Sequence, residues 1–131
     1  MIFVDTGAWY ALLVSDDSHH QQARAWVAAN RERLVLTDYI LDETLTLLRV
    51  RGQYQQAITF GKEIIENNKA ELILLTLDDL EAGWEVFQKY ADKQWSFTDC
   101  TSKVVMERLG IVKAFAFDQH FHQFGSITVV P

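Results

Sequence analysis

Apolar and polar positions change period repeatedly along the chain, dividing it into short apolar runs separated by amphipathic stretches. Residues 2–4 (IFV) read as a strand and 6–14 as a helix. A second helix is predicted over 18–31, where Ala23, Trp26 and Val27 recur at helical spacing. LVL at 34–36 gives the next strand, TDYILDETLTLLRVR a helix that stops at Gly52, and QYQQAITFGKEIIENN another helix. ELILLT at 71–76 is strand-like, LDDLEAGWEVFQKYA helical, and TDCTSKVVMERLG helical with a glycine stop at Gly110. AFAF at 114–117 and ITVV at 127–130 supply the last strands. Strands separated by helices predict an α/β fold, with a parallel sheet covered on both faces.

No internal repeat, low-complexity tract or Pro/Gly-rich linker interrupts this pattern, and the only proline is Pro131. A chain of 131 residues then reads as one domain, residues 1–131, large enough to bury a core without staples. With 49% hydrophobic and 23% charged residues the composition is that of a globular protein, neither disordered nor membrane-like. The apolar runs are too short to span a bilayer, and no secretion signal is visible. Cys100 stands alone, which excludes an intrachain disulfide and predicts the reducing cytoplasm.

The candidate chemistry lies in acids that follow strands. Asp5 ends the first strand, with Thr6 and Gly7 behind it. One reading makes Asp5 and Thr6 helix N-caps, whose oxygens accept from unpaired backbone N–H groups. The other places a carboxylate rigidly at the sheet edge where open α/β folds bind ligands. Asp118 repeats the pattern directly after AFAF. In a parallel sheet the carboxyl ends of all strands share one edge, so two such acids can approach each other. Ser96 and Asp99 fit the capping box S-x-x-[DE], which gives Asp99 a local role beside a site role. The small residues Cys100, Thr101 and Ser102 would let that helix start lie close against the sheet edge, which a capping box does not need. In LDETLTLL, about 100° per residue separates two neighbours. Ile40, Leu41, Leu45, Leu47, Leu48 and Val50 form an apolar arc; Asp42 falls opposite it, and Glu43 lies at its border, able to reach the rim of the sheet.

Four carboxylates brought together repel strongly unless they are protonated or neutralised. Hard oxygen donors suit Mg²⁺ or Mn²⁺, ions that activate water and stabilise charge on a phosphoryl oxygen. Phosphodiester hydrolysis is the reaction class that follows. The net charge of −6 argues mildly against nucleic acid, an objection that weakens when the acids are gathered around a cation.

With Asp5-Thr6, Glu43, Ser96-Phe97-Thr98-Asp99 and Phe117-Asp118 in this order, the chain resembles the PIN-domain ribonucleases, especially VapC-type toxins, over essentially its full length. The resemblance implies a three-layer α/β/α sandwich with a central, mostly parallel sheet. It implies catalytic metal-binding acids at Asp5, Glu43, Asp99 and Asp118, with Thr6 at the family's small hydroxyl position and Ser96 and Thr98 in support. It also implies an Mg²⁺- or Mn²⁺-dependent endoribonuclease with an RNA substrate, a homodimer, and a small protein antitoxin as partner. One departure is the acidity, which leaves Arg24, Arg31, Arg33, Arg49, Arg51 and Lys103 as scattered candidates for RNA contact.

Other residues carry two readings. Trp95 either stacks on a base of single-stranded RNA or wedges a loop against the core with Tyr90 and Phe97. Arg49, like Arg51, is either a substrate contact or the solvated end of a helix facing its dipole. His19-His20 and His120-x-His122 lack the spacing of a zinc site, and His120 is expected to pack or hydrogen-bond in the DQHF turn. Cys100 reads as a small buried residue rather than a nucleophile. Two rival functions remain: a catalytically silent PIN-like interaction module, and a phosphoacceptor receiver domain. The receiver is disfavoured because the first strand ends in a single acid and ELILLT reaches Leu77 before any acid.

Overall fold

The computed structural model describes residues 1–131. In chain order it contains β1 (Ile2–Val4), α1 (Thr6–Leu13), α2 (His20–Ala29), β2 (Leu34–Thr37), α3 (Asp38–Val50) and α4 (Tyr54–Gly61). The second half adds β3 (Glu71–Ile73), α5 (Leu77–Lys89), α6 (Phe97–Leu109), β4 (Lys113–Phe115), a 3₁₀ turn at Phe121–Phe124, and β5 (Thr128–Val130). The strands pair in the order β3-β2-β1-β4-β5, and every pairing is parallel. No helix is long and apolar enough to cross a membrane.

β1 is the central strand, and all three of its residues are buried, as a strand covered on both faces requires. The register sets Phe3 beside Ala114 and Val4 beside Phe115, so alternation sends Phe3 and Phe115 to opposite faces. Trp26 of α2 packs on Phe115, ring centroids 4.5 Å apart, while Phe121 lies 6.0 Å from Phe3. Right-handed crossovers place α1 to α4 on the first face and α5 and α6 on the second. This is the three-layer sandwich. The strand order reverses between β1 and β4, so the switch-point crevice opens beyond Val4 and Phe115.

Local chemistry sets the boundaries. Thr37 caps α3 by accepting from the Ile40 N–H at 3.2 Å, and Thr76 with Asp79 forms a capping box on α5. Gly110 ends α6 at φ 67°, in the left-handed region open to glycine. Three expectations change. β3 ends at Ile73 rather than residue 76, because the Leu75 N–H leaves the sheet to donate to Asp38 Oδ1 at 3.1 Å. β4 ends at Phe115, so Asp118 sits in a loop beyond the strand and not directly after it. The helix after Gly52 continues past Gly61 as a π-helical turn, Lys62–Glu66.

Candidate active site

Asp5 extends β1 by one bond, its N–H donating to the Phe115 carbonyl at 3.0 Å. Its own carbonyl then accepts from Ala8 and Trp9 N–H groups at 3.1 and 3.0 Å, which starts α1. Asp5 is therefore the N-cap residue by backbone, yet its side chain makes no capping hydrogen bond. Asp5 is only 7% exposed. Burial first, and then the charges of Asp99, Asp118 and Glu43, raise its pKa from 3.8 to about 7, against a smaller opposing pull from the Thr6 backbone N–H. The three other acids thus act electrostatically on the first. Beside it, the Thr6 hydroxyl is buried without a hydrogen-bond partner, as is the Thr44 hydroxyl next to Glu43 in sequence.

Asp99 makes the capping box that its sequence predicts, and the same carboxylate also meets a second residue. Ser96 Oγ accepts from the Asp99 N–H at 3.0 Å, and Asp99 Oδ2 accepts from the Ser96 N–H at 2.9 Å. The same Oδ2 lies 2.8 Å from His120 Nδ1. Asp118 Oδ1 accepts from the His120 backbone N–H at 2.5 Å and stands 3.3 Å from the ring nitrogen. His120 ties the two acids together, a role that its position two residues past Asp118 hinted at only as a turn contact. Glu43 is half-buried while Asp42 is exposed, as the helical wheel predicts. Glu43 and Thr98 line a cavity of about 490 Å³ with Asp42, Leu47, Val50 and two residues that the sequence did not single out, Tyr39 and Thr46.

The acids do not form a closed cage: no three His, Cys, Asp or Glu side chains are grouped tightly enough to enclose an ion as they stand. Their chemistry nevertheless fits a divalent cation. All are hard oxygen donors, the Asp5 pKa is raised by burial and then by its neighbours' charge, and Thr6 offers an unpartnered oxygen.

Several expected contacts take other forms. Trp95 is buried, its indole N–H donating to Gln123 Oε1 at 2.9 Å, with Tyr90 and Phe124 rings 4.9 and 5.1 Å away. It is a packing wedge, not a stacking platform. Phe97 leaves that cluster for Phe87 and Tyr39. Arg49 is exposed in the last turn of α3 with its guanidinium 4.6 Å above the Tyr54 ring. Val50, placed in the apolar arc of that helix, is 77% exposed. Burial and then Asp99 push the Cys100 thiol up, away from nucleophilic use. His19 stacks on Phe117, and His20 Nδ1 sits 2.7 Å from the Ala11 carbonyl.

The PIN domain family model matches residues 2–126. This chain belongs to the PIN-domain family. Among its relatives is the 23S rRNA-specific endonuclease VapC20 of Mycobacterium tuberculosis, 34% identical over 131 residues, covering 100% of this chain and 99% of that one. A VapC ribonuclease of Archaeoglobus fulgidus is 35% identical over 124 residues, covering 90% of this PIN domain and 77% of its relative. The crystal structure of M. tuberculosis VapC20, a sarcin–ricin-loop-cleaving toxin, matches with a TM-score of 0.92 and 32% identity over 100% of both chains. FitAcB of Neisseria gonorrhoeae shares the fold at a TM-score of 0.69 and 12% identity, over 100% of this chain and 97% of that one. Membership of the VapC-type PIN domains excludes the receiver-domain reading.

Proposed function

We propose that this PIN domain is a divalent-metal-dependent endoribonuclease that hydrolyses RNA phosphodiester bonds, the toxin member of a toxin–antitoxin pair. The observation that carries the reading is Asp5, a buried, uncapped carboxylate whose pKa is raised to about 7 by burial and by three further acids. Asp5, Glu43, Asp99 and Asp118 would hold Mg²⁺ or Mn²⁺, with the Thr6 hydroxyl beside them. When bound, the cation supplies Lewis acidity toward water and the phosphoryl oxygen. The chain's part is to fix Asp5 at the end of β1, Glu43 within α3 and Asp99 in the first turn of α6, and to keep the Asp5 side of the site dry. Ser96 holds Asp99 through the capping box, and Thr98 lines the cavity beside Glu43. A divalent cation held by these acids would supply activated water as the nucleophile, in place of a ribose hydroxyl.

The mycobacterial relative names the first substrate to try, the sarcin–ricin loop of 23S rRNA. Two partner surfaces suit the reading. Leu77, Trp84 and Phe87 leave an apolar face on α5 for a second copy, and the groove lined by Leu45, Val50, Tyr54 and Ile58 suits an apolar segment of a small antitoxin.

The test is cleavage of sarcin–ricin-loop RNA and a single-stranded panel with Mn²⁺ or with chelator. Metal-dependent products ending in 5′-phosphate and 3′-hydroxyl are expected, and a 2′,3′-cyclic phosphate would overturn the mechanism. Glu43→Gln should lower the rate by about 100-fold or more, the scale of losing a group that stabilises transition-state charge. Asp42→Asn, on the solvent side of the same turn, should leave it near wild type. Equal losses would place the wrong acid at the site.

A further inference from the structure

His120 stands between β4 and the 3₁₀ turn, and its two donors reach two different acids. The backbone N–H donates to Asp118 Oδ1, and ring Nδ1 is 2.8 Å from Asp99 Oδ2 and 3.3 Å from Asp118 Oδ1. Both neighbours are acceptors as carboxylates, so Nδ1 carries the proton and donates. Asp99 Oδ2 also accepts from the Ser96 N–H, which engages that oxygen twice and leaves Oδ1 free. Asp118 Oδ1 accepts from the His120 backbone N–H with the ring nitrogen 3.3 Å away, leaving Oδ2 free.

We infer that His120 is a positioning residue: it clamps Asp99 at the start of α6 to Asp118 in the loop beyond β4, so that each turns one free oxygen toward the site. The inference rests on the metal-dependent reading above. The two acids depend on the clamp unequally. Asp99 is buried and keeps its bond to Ser96 without His120. Asp118 has a side chain 40% exposed, sits on a loop, and accepts hydrogen bonds only from His120. Loss of the ring removes a donor from Asp99, which Ser96 still holds, and the adjacent imidazole edge from Asp118, whose carboxylate is then held by the backbone N–H alone and is the freer of the two to turn. Packing alone does not call for an imidazole here, because Phe121 and Phe124 fill the core beneath the turn. Partners that orient metal-holding carboxylates govern metal affinity through just such hydrogen bonds.

Two substitutions separate clamping from filling space. His120→Leu keeps a branched side chain of similar size and removes the donor. His120→Asn places an amide N–H where Nδ1 stands. Chelator-treated full-length wild type and both variants are titrated with Mn²⁺ by calorimetry at a temperature where all three are folded, and melted in chelator. Cleavage is followed across Mn²⁺ concentrations. His120→Leu should bind Mn²⁺ about 10–100-fold more weakly, with cleavage largely recovered at high Mn²⁺, and His120→Asn should restore most of the affinity. Unchanged Mn²⁺ affinity in His120→Leu overturns the inference, and a lowered melting temperature alongside it assigns the ring to packing. Equal weakening by Leu and Asn overturns it as well. A wild type that takes up no Mn²⁺ overturns the metal reading and the inference together, and is recognised in the wild-type arm alone.

Discussion

Asp5 is held at the end of the central strand by its backbone while its side chain faces three other acids. The native carboxyl keeps its proton up to about pH 7, whereas an unfolded one releases it near 3.8. A raised native pKa means that stability is fully present below the unfolded value and declines as pH rises through the native one. Metal-free protein should therefore lose stability between about pH 4 and pH 7. Asp5→Asn removes that contribution, and the cap is not weakened because the side chain makes no capping bond. In chelator the variant should match wild type near pH 4 and exceed it at pH 8 by about 2–4 kcal/mol as an upper range. Urea unfolding at the two pH values measures the difference; a gap that does not grow with pH removes the charge argument. With Mn²⁺ the order should reverse, since ligand binding to the native state favours wild type. At this scale the sequence was legible in type more than in detail. A strand-end Asp and an S-x-x-D box were visible as motifs, but each has a local use. Only the fold tells that Asp5 leaves its cap unused while Asp99 makes its own and still meets His120.

At the scale of elements, α5 and α6 meet where Gly83 faces Thr101. A Cβ on Gly83 would come 2.8 Å from Thr101 Cγ2, too close for either to stay in place. Thr101 is fully buried and its hydroxyl donates to the Thr98 carbonyl at 3.0 Å, so it has little freedom to yield. Gly83→Ala gains about 1 kcal/mol of helix propensity but overpacks this contact at a cost of roughly 1–3 kcal/mol. Net destabilisation is expected by urea unfolding, and Thr101→Ser, which deletes the clashing methyl, should recover stability in the Gly83→Ala background. Full additivity of the two changes would show that the helices do not meet there. Among the small residues after Asp99, Thr101 thus serves the packing of the helix pair. Element type and order were legible because the period of apolar residues follows burial. Ends were less so: a single side-chain acceptor, Asp38 Oδ1, draws Leu75 out of β3. Val50 fits the arc of α3 by angle but lies past the point where another element covers that helix.

The whole molecule presents eighteen acids against twelve Lys and Arg. Several of those cations are already committed: Arg33 to Glu71, Lys103 to Glu107, Lys113 to Glu32, and Arg108 to the buried Asp79. Arg49 and Arg51, at the end of the helix that carries Glu43, instead lie over Tyr54 and Tyr10. RNA should therefore be held by few phosphate contacts outside the acid cluster. With Glu43→Gln to prevent cleavage, log K for a single strand should fall with log salt at a slope shallower than about −3, given roughly −0.7 for each phosphate neutralised. A slope near −6 would demand a basic track that this surface lacks. The parallel order of the sheet has a consequence in time as well as in space. β1 lies between β2 and β4, so the strand that leads to Asp5 is translated first but gains its second neighbour only when Lys113–Phe115 has been added. Domains fold as units during synthesis, and here the unit closes late, with Asp118 the last acid to emerge. A nascent chain built in this order completes its set of four acids only when nearly every residue of the sheet has been made.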